Sequence, residues 1–261
     1  MTSTIFQTRR AGTALLLAAS VLALAAPAAP ALASPMDWIA GGSVKGSGKL
    51  QEQQRAVGRF NGVALNVPGT VELRIGNTES VTIETDDNLL PLIETVVENG
   101  TLRIRQSRRN TNLRQTALKI VVYASNIERI SVGGSGTVNA SGLFADKLRF
   151  DVGGSGSIHA GQLDARLVSV AIGGSGNFSA SGKTQQLTAS IGGSGNIDAG
   201  RLAARDVQVS IGGSGEAEVW AKDQLAISIG GSGEVSYYGD PQISRSMQRS
   251  SSVKRLGTAP N

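Results

Sequence analysis

The chain has 261 residues, of which 34 are glycine, 10 aromatic and none cysteine, and its formal net charge is +5. The lack of cysteine excludes disulfides, cysteine zinc sites, thiolate catalysis and a lipid-modified export cysteine. Glycine stands at about twice its ordinary share of roughly 7%, whereas 17% charged against 40% apolar residues fits a packed core and not a charged, disordered chain.

From the start, Arg9 and Arg10 precede an apolar stretch from Ala11 to Ala26, followed by Ala31-Leu32-Ala33. This pattern reads as a secretory signal peptide over residues 1–33, cleaved after Ala33. No Phe-Leu-Lys follows the arginine pair, so ordinary secretion is preferred to twin-arginine export. Removing the segment lowers the net charge to +3, a balance that gives no support to nucleic-acid binding. No later stretch reaches the 18 or so apolar residues that a membrane-spanning helix needs. The expected location is therefore periplasmic or extracellular.

Residues 34–50 read as an N-terminal segment of the mature chain. Gly48-Lys49 lacks both the upstream glycine and the following Ser or Thr of a phosphate loop. Within 51–130, Val71–Ile75, Val81–Ile83, Leu102–Ile104 and Leu118–Tyr123 alternate as strands, with turns at Gly76-Asn77 and Asn99-Gly100. Asn99-Gly100 is a strong hairpin signal, although it would equally turn one coil of a solenoid into the next. Arg103, Arg105, Arg108 and Arg109 cluster at the edge of an expected loop over 107–116. They are candidates for an anionic partner such as lipopolysaccharide, or simply solvate an exposed strand.

From residue 131 the chain repeats. Gly-Gly-Ser-Gly begins at Gly133, Gly153, Gly173, Gly192, Gly212 and Gly230, at spacings of 20, 20, 19, 20 and 18. Val132, Val152, Ile172, Ile191, Ile211 and Ile229 precede the tetrads, with a second apolar column two residues earlier and a third two earlier again. After each tetrad stand Val138, Ile158, Phe178, Ile197, Ala217 and Val235, then Ala or a larger apolar residue two further on. Period two means strands with one buried face. A unit of about 20 residues cannot bury that face alone, so the units must stack. The expected fold is all-β: a right-handed parallel β-helix, or solenoid, whose coils lie about 4.8 Å apart. It would form one domain over 51–257: larger irregular coils to 130, regular coils over 131–240, and a degenerate last coil and cap over 241–257. The basic residues Arg245, Arg249, Lys254 and Arg255 suit such a cap.

Phe60-Asn61-Gly62-Val63, Val71–Ile75, Val81–Thr85, Asp87-Asn88-Leu89-Leu90 and Gly100–Ile104, followed by the Gly-Ser-Gly ladder, resemble the auto-transporter adhesin head GIN domain family. The resemblance covers about residues 46–257. It implies a bacterial envelope protein built as a right-handed β-helix, with no established biochemical activity. Nothing after residue 240 is long enough for a membrane barrel of at least eight strands of about ten residues, so self-anchoring is not expected.

The chemistry left open is narrow. The sixth position of a calcium-roll nonapeptide must be Asp, but here it is Val138, Ile158, Phe178, Ile197, Ala217 or Val235. The only histidine, His159, has no nucleophile elbow and reads as a surface residue. The serine column from Ser135 to Ser232 either satisfies a tight corner or forms a flat contact face. In the last coils Glu216 should stack beside Glu234, Asp198 beside Glu218, and Trp220 beside Tyr238. Like charges one rung apart cost stability unless a cation, a basic side chain or a ligand compensates, and carboxylates beside aromatic rings suit sugar recognition. The plainer alternative is that the basic tail folds over this patch and pairs the acids. The expected function is a non-catalytic binding or structural module of the cell envelope, with a glycan or envelope polysaccharide as candidate partner and neither metal nor cofactor. The alternative is a polysaccharide-active enzyme using the same carboxylates; a protein scaffold is neither favoured nor excluded.

Overall fold

The computed structural model describes residues 43–107, 112–114, 117–248 and 250–260. The expected signal peptide, residues 34–42, Arg108, Arg109 and Arg249 lie outside the described residues.

The described chain consists of nineteen strands and one 3-10 turn at Leu90–Leu92. The first nine are β1 (Ser43–Lys45), β2 (Leu50–Arg55), β3 (Gly62–Leu65), β4 (Thr70–Ile75), β5 (Ser80–Asp86), β6 (Ile93–Glu98), β7 (Thr101–Gln106), β8 (Asn112–Arg114) and β9 (Leu118–Ala124). The repeat region follows as β10 (Arg129–Val132), β11 (Thr137–Ser141), β12 (Phe144–Val152), β13 (Ser157–Ile172), β14 (Asn177–Ile191), β15 (Asn196–Ile211) and β16 (Glu216–Ile229). The chain ends in β17 (Glu234–Tyr238), β18 (Gln242–Met247) and β19 (Ser252–Gly257).

From β10 onward every pairing is parallel, and each repeat lies on the one before it. The chain is thus a β-solenoid. The apolar columns stand in register: Leu148, Val168, Leu187, Val207 and Leu225 form one ladder, and Val138, Ile158, Phe178, Ile197, Ala217 and Val235 another. All of these are buried. At about 1.5–3 kcal/mol for each large apolar side chain taken from water, the ladders supply the main driving force. Phe150 and Phe178 meet across the interior, with ring centroids 5.0 Å apart and planes at 47°.

The backbone ladder continues through the tetrads. Gly173, Ser175 and Asn177 donate their N–H groups to the carbonyls of Val152, Gly154 and Gly156 at 2.9, 3.2 and 3.0 Å. The corner is therefore as tightly stacked as the strands, and the serine side chains are exposed.

Residues 51–130 combine two kinds of pairing. β3 lies between β7 and β10, and β4 between β9 and β11, all parallel. The coil that comes first in the sequence is therefore second in the stack. Antiparallel strands cover the outer edge of the first coil: β5 on β9, β2 on β5, and β6 on β7. Asn99 and Gly100, with φ of 50° and 72°, form the two-residue turn joining β6 to β7, so this pair makes a hairpin. Arg55 ties the cover down by donating to the carbonyls of Ile93 and Leu90 at 2.5 and 2.8 Å.

At the other end β18 pairs with the second half of β16, and β19 with β17. Arg245 and Arg255 stand in register with Ile227 and Tyr237, so arginines take positions that are apolar in the coils below. Charged residues on an exposed edge disfavour the addition of further strands.

Candidate functional site

The face following the tetrads carries the acidic residues, because alternation turns Ile197, Ala217, Val219 and Val235 inward and their neighbours outward. Glu216 is in register with Glu234, Asp198 with Glu218, and Trp220 with Tyr238. Asp198, Glu216, Glu218 and Glu234 line one shallow depression of about 310 Å³; Trp220 and Tyr238 do not reach it. Trp220 sits instead beside Ala203, because the register skips 200–202 between Ala199 and Ala203. Lys222 Nζ lies 5.5 Å from its ring centroid, a cation–π contact.

The basic tail does not cover the acids. It forms the next coil, where Arg255 donates to the Gly239 carbonyl at 2.8 Å and approaches Asp240 at 3.5 Å. Among the described residues none of the four acids is in an ion pair. Burial holds the Glu218 carboxyl above the usual carboxylate range, the charge of Asp198 adds to this, and Arg201 opposes it. Among the described residues no group of three metal-ligating side chains converges.

The arginine cluster is differently placed. Arg103 lies 2.9 Å from Glu98, and Arg105 lies 2.8 and 2.9 Å from Glu94 and Glu98, across the β6–β7 hairpin. Internal carboxylates thus balance both charges.

Two features escaped the sequence reading. One concerns the tetrads. A methyl group on Gly174 would overlap the carbonyl oxygen of Gly154, and the equivalent overlap recurs at Gly193, Gly213 and Gly231. At the first position the reverse holds: a Cβ on Gly173 meets nothing within 4 Å, and on Gly153, Gly192, Gly212 or Gly230 its nearest neighbour is 3.9–4.0 Å away. All five are exposed and none has a left-handed φ. Neither packing nor backbone conformation requires glycine there.

The other feature is a polar ladder beside it. Thr137, Ser157, Asn177 and Asn196 share one column, and Asn139, His159, Ser179 and Asp198 the next. His159 Nδ1 lies 2.7 Å from Ser179 Oγ. Reading the outward columns coil by coil would have revealed both ladders.

A family model described as "Putative auto-transporter adhesin, head GIN domain" matches residues 59–241. The crystal structure of a putative adhesin from Bacteroides fragilis is 25% identical, with a TM-score of 0.75 over 82% of this chain and 100% of its own. A putative lipid binding protein from Parabacteroides distasonis is 23% identical, with a TM-score of 0.68 over 82% of this chain and 99% of its own. A putative adhesin from Parabacteroides merdae is 20% identical, with a TM-score of 0.63 over 82% of this chain and 99% of its own. These last two show a shared fold. No curated protein matches the chain.

Proposed function

Because the chain belongs to the putative auto-transporter adhesin, head GIN domain family, we propose that it is an exported, non-catalytic binding module of the bacterial cell envelope whose partner is a glycan or envelope polysaccharide. The observation that carries this reading is the first-glycine column. Five exposed positions with room for a side chain are kept bare, beside exposed serines and a ladder of Thr, Ser and Asn. A bare edge lets a broad partner approach the backbone closely, and the hydroxyls and amides beside it match sugar hydroxyls in donor and acceptor character. Each contact is weak, about 0.5–1.5 kcal/mol net for a typical hydrogen bond. Repetition along a rigid ladder makes many of them act together.

One observation favours a second reading, a polysaccharide-active enzyme. Asp198 and Glu218 stand in register on adjacent coils and line one depression with Glu216 and Glu234, and paired carboxyls flanking a cleft suit glycosidic acid–base chemistry. One experiment separates the two readings: a glycan array probed with the purified protein, followed by product analysis of every bound glycan. Binding with the glycan intact supports the module, and cleavage supports the enzyme. Export is tested by N-terminal sequencing of the envelope fraction, with Ser34 expected as the first residue.

A further inference from the structure

At one corner of the solenoid three successive coils leave register: β13 between Ala160 and Leu163, β14 between Ser179 and Ser181, and β15 between Ala199 and Ala203. Such bulges bend a strand and re-aim its side chains. Here Gln162 takes a left-handed φ of 55°, uncommon for a residue other than glycine. The result is a groove of about 330 Å³ running across four coils. Its lining includes one register column of Asn139, His159, Ser179 and Asp198 and a second of Ser181 and Arg201.

We propose that this groove binds a linear, uncharged oligosaccharide; the proposal rests on the glycan reading above and names the site and the ligand class. Its walls offer donors and acceptors at successive coils, about 4.8 Å apart. Asn139 Nδ2 is fixed by Glu72 Oε1 at 2.7 Å, which leaves its amide oxygen to accept. The His159–Ser179 pair leaves the other imidazole nitrogen without a partner among the described residues. The Arg201 guanidinium is in no hydrogen bond or ion pair among the described residues, and the formal charges of Arg201 and Asp198 in the lining cancel, so a polyanion gains nothing. A peptide strand finds no continuous backbone edge to join: outside the bulged residues 161–162 and 180–181, the lining segments of β13 and β14 are paired on both sides. A chain of hydroxyls running along the axis fits all of these facts.

The test is titration of the isotopically labelled protein, followed by amide spectra, with tetramers of β-1,4-linked glucose and N-acetylglucosamine, and with a galacturonate tetramer as the charged counterpart. A neutral tetramer is expected to shift amides within 159–162, 179–182 and 198–202. Its Kd should rise at least tenfold in His159→Ala and Arg201→Ala, with melting unchanged. Gly161→Asn fills the groove: a Cβ there is at ordinary contact, 3.6 Å from Ser141 Oγ, and it should lose the shifts while remaining folded. Shifts centred on 216–238, unchanged affinity in the variants, or preference for galacturonate overturns the groove alone. Loss of all glycan binding on the array overturns the reading beneath it, and the groove with it.

Discussion

The backbone at Gly174 lies against the carbonyl oxygen of Gly154 so closely that no side chain fits between the two coils, whereas its neighbour Gly173 faces open space. Two adjacent glycines therefore answer to different constraints. Gly174→Ala is expected to destabilise the solenoid by about 1–3 kcal/mol or more, as overpacking does. Gly173→Ala should stay within about 0.5 kcal/mol of the parent, as at an unconstrained surface site. Chemical denaturation of the two variants checks the contrast.

Phe178 is buried and meets Phe150 at 5.0 Å. Phe178→Ala should cost about 3–5 kcal/mol through lost transfer energy and the cavity left behind. Phe178→Leu should cost less, because more of the volume is kept. Denaturation midpoints order the series.

Stability should depend on pH through Glu218. Its folded carboxyl binds protons more readily than in the unfolded chain, first through burial and then through Asp198. Full stability from this group is present below its ordinary value of 4.5 and is lost as pH rises through the raised folded value. Glu218→Gln should therefore melt higher than the parent at pH 7, with the difference vanishing toward pH 4. Thermal melts across that range read the effect.

Arg245 and Arg255 stand over apolar columns on the last coil, whose outer edge pairs with no other strand among the described residues. Replacing both by valine should expose a flat apolar end and raise self-association. Sedimentation velocity should show oligomers in the double variant at concentrations where the parent gives one species.

The regular coils were legible because Ile, Val and Leu recur at period two and the tetrads mark every corner. A column such as Leu148, Val168 and Leu187 can be read directly from the repeat. The stacking of β3 and β4 between later strands was not, since parallel pairing over long sequence separations leaves no local mark at Val63 or Val71. The pairing of Arg105 with Glu94 and Glu98 was hidden for the same reason, as it depends on the β6–β7 register. At the candidate site, the rungs of Asp198 with Glu218 and Glu216 with Glu234 followed from spacing. Arg201 did not: the change of spacing from 19 to 20 across Gly192 signals one extra residue but not which side chain it turns outward. His159 reads as a lone histidine within its own coil; its partner Ser179 stands one repeat on, in the same outward column.

The central claim, that the bare glycine edge serves binding, is tested most directly by the triple variant Gly153→Gln, Gly173→Gln and Gly192→Gln, compared with the parent for binding to the glycans selected on the array. Side chains there have room in the folded protein, so melting should be unchanged while binding falls at least tenfold. Undiminished binding by the folded triple variant would contradict the claim.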